Sequence, residues 1–146
     1  MIVVDCNVLV HLLIDGTETP RARALLDHDD DPFASRAFLG TAEKVGAGGT
    51  ALGWQAQHLA LREGNRLLGL LPLYLRSHSF GDFSRDWNWA SAWQRAGLDY
   101  YPKLVSGIPY TPSPGPRLLV RRGIEREAVA TALIEAALEV TRQLGA

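Results

Sequence analysis

The chain has 146 residues, a formal net charge of −1 and 47% hydrophobic residues. This length suits one domain with one hydrophobic core, and the composition excludes an intrinsically disordered chain. The balanced charge excludes a global basic field for nucleic acid, and no apolar run reaches the roughly 20 residues that cross a bilayer. A lone cysteine, Cys6, forms no internal disulfide, so we expect a cytoplasmic protein.

The first 31 residues begin with a β-branched run, Ile2-Val3-Val4, which predicts a short buried strand ending at Asp5. The apolar segment 8–14 is compatible with a buried helix, and Thr19-Pro20 is typical of a helix start. An acidic stretch over 27–31 closes this region. Because consecutive carboxylates repel one another, we interpret it as a solvated link and not as a metal site.

After this link the sequence is rich in tryptophan, tyrosine, proline and glycine. A short helix is predicted over 36–45. Two strands are predicted over 58–62 and 66–76, joined by the turn Glu63-Gly64-Asn65, which is a hairpin signal. Pro72 in the second strand indicates an edge or a bulge, because proline donates no ladder hydrogen bond.

A further helix is predicted from Ser84 or Asp86, and its tryptophans are expected to pack in the core. These are Trp87, Trp89 and Trp93. Stacking on nucleic-acid bases is the alternative, which the scarcity of interleaved basic residues disfavours. Strand candidates over 103–108 and 117–120 flank a loop rich in proline and glycine.

The C-terminal helix carries a broad apolar stripe at helical spacing, of the kind that packs against a sheet. The stripe comprises Val129, Leu133, Ala136, Val140 and Leu144, widened by Ile134 and Leu138. Gly145 is the expected helix stop. If this is a crossover helix, the strand that should follow it is missing, which favours a chain that covers apolar surface by forming a homo-oligomer.

The opening segment IVVDCNVLVHLLI resembles the start of a PIN-domain ribonuclease of the VapC toxin type. The resemblance implies that Asp5 helps to hold Mg²⁺ or Mn²⁺ for RNA cleavage, since hard divalent cations prefer clustered carboxylate oxygens. Glu43 is a candidate for a second acid, but no Asp or Glu follows a strand between 103 and 122. The structural alternative for Asp5 is a polar strand end that caps the next helix.

Residues 32–146 resemble the FemAB-like proteins of the GNAT acyltransferase superfamily, often labelled peptidoglycan biosynthesis proteins. The resemblance rests on the ordered blocks PFASRAFL, GWQAQHLAL, LPLYLRSHSFGDF, DWNWASAWQRAGLDYYPKL and PYTPSPGPRLLV. It implies acyl-CoA or aminoacyl-tRNA as donor and an amine as acceptor. Family members are much longer, so the chain corresponds to the front part of their first module.

His78 and Asp86 are the candidate catalytic bases. Histidine takes a proton from an attacking amine near neutral pH, and Ser77 or Ser79 is placed to orient His78. Asp86 is a candidate to orient His78 or to act as base itself. The alternatives are a histidine that bonds a loop carbonyl at a strand end, and an aspartate that starts the following helix.

Tyr100, Tyr101 and Lys103 join two phenols and an ammonium beside a predicted strand. Tyr101 is a candidate proton donor to a leaving group, and Tyr100, Lys103 and Arg117 are candidate substrate ligands, with the cations contacting phosphate. The alternatives are half-buried packing tyrosines and a solvated arginine at a strand end.

The sequence therefore predicts an α/β chain: a partial GNAT-like mixed sheet with flanking helices, preceded by a PIN-like strand–helix segment over 1–31. The junction with residues 32–146 indicates a bacterial chain that is chimeric or truncated. The expected reaction moves an acyl or aminoacyl group to an amine, and truncation makes inactivity one expected outcome. The alternatives are a Mg²⁺- or Mn²⁺-dependent ribonuclease with RNA as substrate, and a non-catalytic chain that oligomerises.

Overall fold

The computed structural model describes residues 2–3, 36–83, 86–111 and 116–146. The strands are β1 Ile2–Val3, β2 Trp54–Ala56, β3 Leu59–Glu63, β4 Arg66–Leu71, β5 Tyr74–Arg76, β6 Lys103–Val105 and β7 Leu119–Val120. The α-helices are α1 Arg36–Lys44, α2 Trp87–Arg95 and α3 Arg126–Leu144, and a 3₁₀ turn covers Thr50–Leu52.

The described strands form two small antiparallel sheets instead of the single mixed sheet that the resemblance implies. The first sheet has the order β1-β3-β4-β7, and the second has the order β2-β5-β6. With three described α-helices the chain is a mixed α/β protein, as predicted. The predicted helix over 8–14 and the boundary between residues 31 and 32 lie outside the described residues.

The hairpin of the first sheet is confirmed. Strands β3 and β4 pair antiparallel, with Glu63 opposite Arg66 at the turn. Gly64 takes a φ of 56°, a left-handed conformation that glycine adopts without a Cβ penalty. Strand β1 pairs with β3 through Ile2 opposite Leu61, so the first described residues add an edge strand to this sheet.

The predicted strand over 66–76 is wrong as a single element. It ends at Leu71, and the chain re-enters strand structure at Tyr74 in the other sheet. Pro72 cannot donate a ladder hydrogen bond, which accounts for the break at this point. The backbone of Leu73 bonds instead to two neighbours: its carbonyl accepts from Gln57 N at 2.8 Å, and its N–H donates to His58 Nδ1 at 3.0 Å.

Helix α3 covers the first sheet. Its buried residues Val129, Leu133 and Val140 form the hydrophobic core of this sheet with strand residues that include Leu59 and Leu71. Gly69 on β4 allows the close approach, because a Cβ there would overlap the Val129 Cγ1 atom.

Helix α3 ends where the sequence predicts, but its buried face is narrower than predicted. Gly145 adopts a φ of 63° and ends the helix as expected. The expectation that Ile134 and Leu138 widen the buried stripe is wrong, since they are 54% and 52% exposed. Among the described elements α3 packs chiefly on β3 and β4, and Ile134 and Leu138 lie outside its buried face.

The second sheet places three large side chains in line. Trp54 on β2 lies opposite Arg76 on β5, and Arg76 lies opposite Lys103 on β6. Directly opposed residues of neighbouring strands project from the same face of a sheet. An indole, a guanidinium and an ammonium therefore share one face of this sheet, and we call them the cross-strand row.

The prediction that the tryptophans of α2 pack in the core is wrong. Trp87, Trp89 and Trp93 are 55%, 67% and 43% exposed, and no residue of this described helix is buried. Helical periodicity predicts a face but not what covers it. None of the helices that the structure describes is long and apolar enough to cross a membrane.

Candidate functional site

Five polar side chains converge where the second sheet meets the start of α2. We call them the cleft cluster: Ser79, Asp86, Tyr100, Tyr101 and Lys103. Ser79 follows β5, Asp86 directly precedes α2, and Lys103 opens β6. Chain segments far apart in sequence therefore contribute to one site.

Asp86 is the centre of this cluster. Its Oδ1 accepts hydrogen bonds from Ser79 Oγ and, at 3.2 Å, from the Tyr101 hydroxyl. Its Oδ2 accepts from Lys103 Nζ and, at 3.2 Å, from the Tyr100 hydroxyl. Asp86 stands at the N-cap position of α2, yet its side chain makes no capping hydrogen bond. The carboxylate thus binds neighbouring side chains, in contrast to the helix-capping alternative.

The partners of Asp86 also bind one another. The Tyr101 hydroxyl lies 2.6 Å from Ser79 Oγ, and Lys103 Nζ donates to the Tyr100 hydroxyl at 3.0 Å. Lys103 Nζ also lies 4.3 Å from the centre of the Tyr100 ring, within range of a cation–π contact. An ammonium has three donors, and two of those on Lys103 are engaged here.

The ionisation of the cluster follows from these contacts. Burial alone would raise the pKa of Asp86, but hydrogen bonds from Lys103 and Ser79 outweigh it and lower that pKa to about 2. Burial opposes the charge on Lys103, yet the bonds to Asp86 and Tyr100 leave the pKa of Lys103 above its ordinary value. Burial and the nearby carboxylate raise the pKa of Tyr101. At neutral pH the cluster therefore holds a carboxylate, an ammonium and a neutral Tyr101 phenol.

The cluster lies between two clefts. The polar cleft, about 300 Å³, is lined by residues that include the whole cross-strand row, Lys103 among them, together with Asp86 and Arg117. The aromatic cleft, about 450 Å³, is lined by residues that include His78, Ser79, Trp87, Tyr100 and Tyr101. Members of the cleft cluster thus contribute to the walls of both.

The floor of the polar cleft contains a buried ion pair. Arg76 is 1% exposed, and its Nη2 donates to Asp82 Oδ2 at 2.7 Å. Its Nη1 donates to the Leu52 carbonyl at 3.1 Å, and the guanidinium lies 3.8 Å from the centre of the Trp54 ring. Two like charges on neighbouring strands repel one another. Arg76 and Lys103 each have an aspartate partner that offsets this repulsion.

His78 stands apart from the cluster. Its Nδ1 accepts from Phe80 N at 3.3 Å, and its ring packs on Gly53, where a Cβ would come within 2.6 Å of Nε2. Ser79, which sequence reasoning offered as an orienting group for His78, binds Asp86 and Tyr101 instead. His78 nevertheless lines the aromatic cleft.

A second polar cluster was missed by sequence reasoning. We call it the core cluster: Glu43, His58 and Tyr74. Glu43 Oε1 accepts from the Tyr74 hydroxyl at 3.0 Å and lies 3.0 Å from His58 Nε2. His58 Nδ1 accepts from Leu73 N, so Nε2 carries the proton and donates to Glu43. In the sequence His58 lies in an apolar context, which is typical of a structural histidine.

The residues of the ribonuclease alternative are only partly described. Asp5 lies outside the described residues. Glu43, the candidate second acid, binds His58 and Tyr74 in the core cluster. Among the described residues no group of three His, Cys, Asp or Glu side chains is arranged to hold a metal ion.

Comparison with known families identifies the chain. The profile of the FemAB-like family, described as peptidoglycan biosynthesis/recognition, matches residues 18–146. The chain belongs to this family. The match includes every residue of both polar clusters and of both clefts. No curated protein and no solved structure matches the chain significantly.

Proposed function

We propose that this FemAB-like chain is an acyltransferase-like module that moves an acyl or aminoacyl group to an amine, with the cleft cluster as its reacting site. The observation that carries the proposal is the position of a carboxylate, an ammonium and two phenols between two clefts. Two substrates have to meet in such a reaction. Membership in a family described as peptidoglycan biosynthesis/recognition is consistent with an acyltransferase-like role.

Lys103 and Tyr101 suit the carbonyl oxygen of the acyl donor. Attack by an amine places negative charge on this oxygen, and fixed donors that meet the charge lower the barrier. One N–H of Lys103 remains after its bonds to Asp86 and Tyr100. The raised pKa of Tyr101 keeps its hydroxyl protonated, and its single O–H turns from Asp86 and Ser79 to the oxygen as the charge develops. Asp86 orients both groups.

The base role goes to His78 in this proposal. A carboxylate with a pKa of about 2 takes up a proton poorly at neutral pH, so Asp86 is the weaker base. His78 lines the aromatic cleft. Its Nδ1 accepts from Phe80 N, which leaves the ring proton on Nε2, so Nδ1 must release Phe80 N before it accepts a proton from the amine. We therefore assign the amine acceptor to the aromatic cleft.

The polar cleft suits the acyl donor. Acyl-CoA and aminoacyl-tRNA both carry phosphates, and Arg117 lines this cleft as a cation for them, while Lys103 serves the carbonyl oxygen. In the reaction the amine nitrogen bonds to the carbonyl carbon, and the bond from that carbon to the thiol sulfur or ribose oxygen breaks. The amine loses one proton to His78, and the leaving group gains one proton as thiol or alcohol.

The test is transfer of a labelled acyl group from acyl-CoA or aminoacyl-tRNA to a small amine. His78→Gln is expected to lower the rate about 100-fold or more, the usual contribution of a general base. His58→Gln, in the core cluster, is the matched histidine control and should keep its rate at equal fractions of folded protein. A wild-type rate in His78→Gln contradicts the base assignment, and absence of transfer by the wild-type chain with every donor contradicts transferase activity of this chain.

A further inference from the structure

Three residues that line the polar cleft each carry a buried polar atom without a partner. Trp54 Nε1, Arg76 Nε and Asp82 Oδ1 have no hydrogen-bond partner among the described residues. Trp54 and Arg76 are 4% and 1% exposed, and all three residues line the cleft. Buried polar groups in native proteins are almost always paired, so three in one place call for a common partner.

Arg76 contacts both of the other two residues. Arg76 stacks on the Trp54 ring and donates through Nη2 to the other oxygen of Asp82. The guanidinium and the carboxylate therefore meet through one hydrogen bond, whereas an arginine–carboxylate fork makes two. The second donor and the second acceptor of this pair are the unpaired atoms Arg76 Nε and Asp82 Oδ1.

The chemistry of these atoms defines their partner. Trp54 Nε1 and Arg76 Nε are donors, and Asp82 Oδ1 is an acceptor. A hydroxyl oxygen accepts two hydrogen bonds and donates one, which is the number and kind of bond that the three atoms lack. A carboxylate or phosphate oxygen only accepts and would oppose the Asp82 charge.

We propose that Trp54, Arg76 and Asp82 form a subsite that recognises one alcohol hydroxyl of a ligand in the polar cleft. A water molecule has the same hydrogen-bonding capacity and is the occupant that the ligand displaces. Each of the three atoms exposes less than 1 Å², so the oxygen enters as neighbouring side chains shift slightly outward. This binding step is independent of the acyl transfer proposed above.

The experiment is a titration of the ¹⁵N-labelled chain followed by NMR at the Trp54 indole N–H, assigned with Trp54→Phe. The probe is 1,4-anhydroerythritol, a ring ether with two hydroxyls, and the control is tetrahydrofuran, the same ring without them. We expect a saturable shift of the Trp54 indole and the Arg76 Nε–H signals with the diol only. Magnetisation transfer from water to the indole proton, measured before and after addition, identifies the displaced water.

Two variants complete the test. Asp82→Asn replaces the acceptor, and Trp54→Phe removes one donor while keeping an aromatic ring under Arg76. Each is expected to weaken diol binding about three- to tenfold, the effect of one hydrogen bond. In Trp54→Phe the Arg76 signal is the reporter. The proposal would be overturned if magnetisation transfer from water to the indole proton persisted at saturating diol. It would also be overturned if both probes caused equal shifts, or if the folded variants bound the diol with unchanged affinity.

Discussion

The core cluster and the cleft cluster use similar groups in different surroundings. Each has a carboxylate that accepts from a tyrosine hydroxyl, Glu43 from Tyr74 and Asp86 from Tyr101. In the core cluster the third group is His58, which is fully buried, whereas the ammonium of Lys103 is partly exposed. None of Glu43, His58 and Tyr74 lines either cleft, while every member of the cleft cluster lines one of them.

Under the proposed function, this difference assigns the reaction to the cleft cluster. A buried polar network without access for a substrate contributes specificity and stability to the fold. Glu43 ties α1 to residues next to β3 and on β5 in this way. Polar groups that border a cleft can exchange their partners for a ligand. We therefore expect substitutions in the core cluster to change stability alone, and substitutions in the cleft cluster to change activity whether or not they also change stability.

The largest expected effect is on catalysis by Lys103. Lys103→Met keeps the length of the side chain but removes the positive charge that meets the developing oxyanion. We expect the transfer rate to fall about 100- to 1,000-fold. Lys44→Met, an exposed lysine at the end of α1, is the matched control and should keep the wild-type rate. Equal rates in the two variants would contradict the assignment.

Glu43→Leu is expected to have the largest effect on stability. It removes the acceptor of both His58 and Tyr74 and leaves two buried donors unpaired, which lowers the free energy of unfolding by about 3 kcal/mol. Glu43→Gln keeps an acceptor oxygen and should cost about 1 kcal/mol. Urea denaturation measures both, and equal losses in the two variants would show that the hydrogen bonds do not matter.

Acid unfolding tests the charge on Asp86. Its pKa is about 2 in the folded state, below the ordinary value of 3.8, so its stabilising contribution is present above pH 4 and is lost as the pH falls toward 2. Asp86→Asn lacks this titration. Between pH 5 and pH 2 the wild type should lose about 2 kcal/mol more than the variant, measured by urea unfolding at each pH. Parallel pH profiles would refute the lowered pKa.

The smallest effect is expected outside both clusters. Trp89 is 67% exposed on α2 and takes part in neither network. Trp89→Gln should change the free energy of unfolding by less than about 0.5 kcal/mol, as is usual for surface substitutions. A loss above 2 kcal/mol would contradict the exposed position of Trp89 and indicate that it packs in the core.

The elements that sequence analysis located are those with local signals. The spacing from Val129 to Val140, the turn at Gly64 and the stop at Gly145 depend on nearby residues, and the structure confirms all three. The break at Pro72 was only partly foreseen. Proline has no backbone N–H, and this predicted an irregularity in the strand. It did not predict that the chain changes from one sheet to the other.

The candidate site was predictable in its residue types and not in its contacts. Asp86, Tyr101 and Lys103 were selected as chemical groups, and the structure brings them together. That Ser79 joins them while His78 packs on Gly53 depends on the path of the chain between β5 and α2. The register that sets Arg76 opposite Lys103 is equally non-local, so sequence patterns do not contain it.

The most direct test compares two phenols. Tyr101→Phe removes a hydroxyl from the cleft cluster, and Tyr74→Phe removes one from the core cluster. At equal fractions of folded protein, Tyr101→Phe should lower acyl transfer at least tenfold with nearly unchanged stability. Tyr74→Phe should lose about 1 kcal/mol of stability and keep its rate. Full activity in Tyr101→Phe, or the same loss of rate in both variants, would contradict the assignment of the reaction to the cleft cluster.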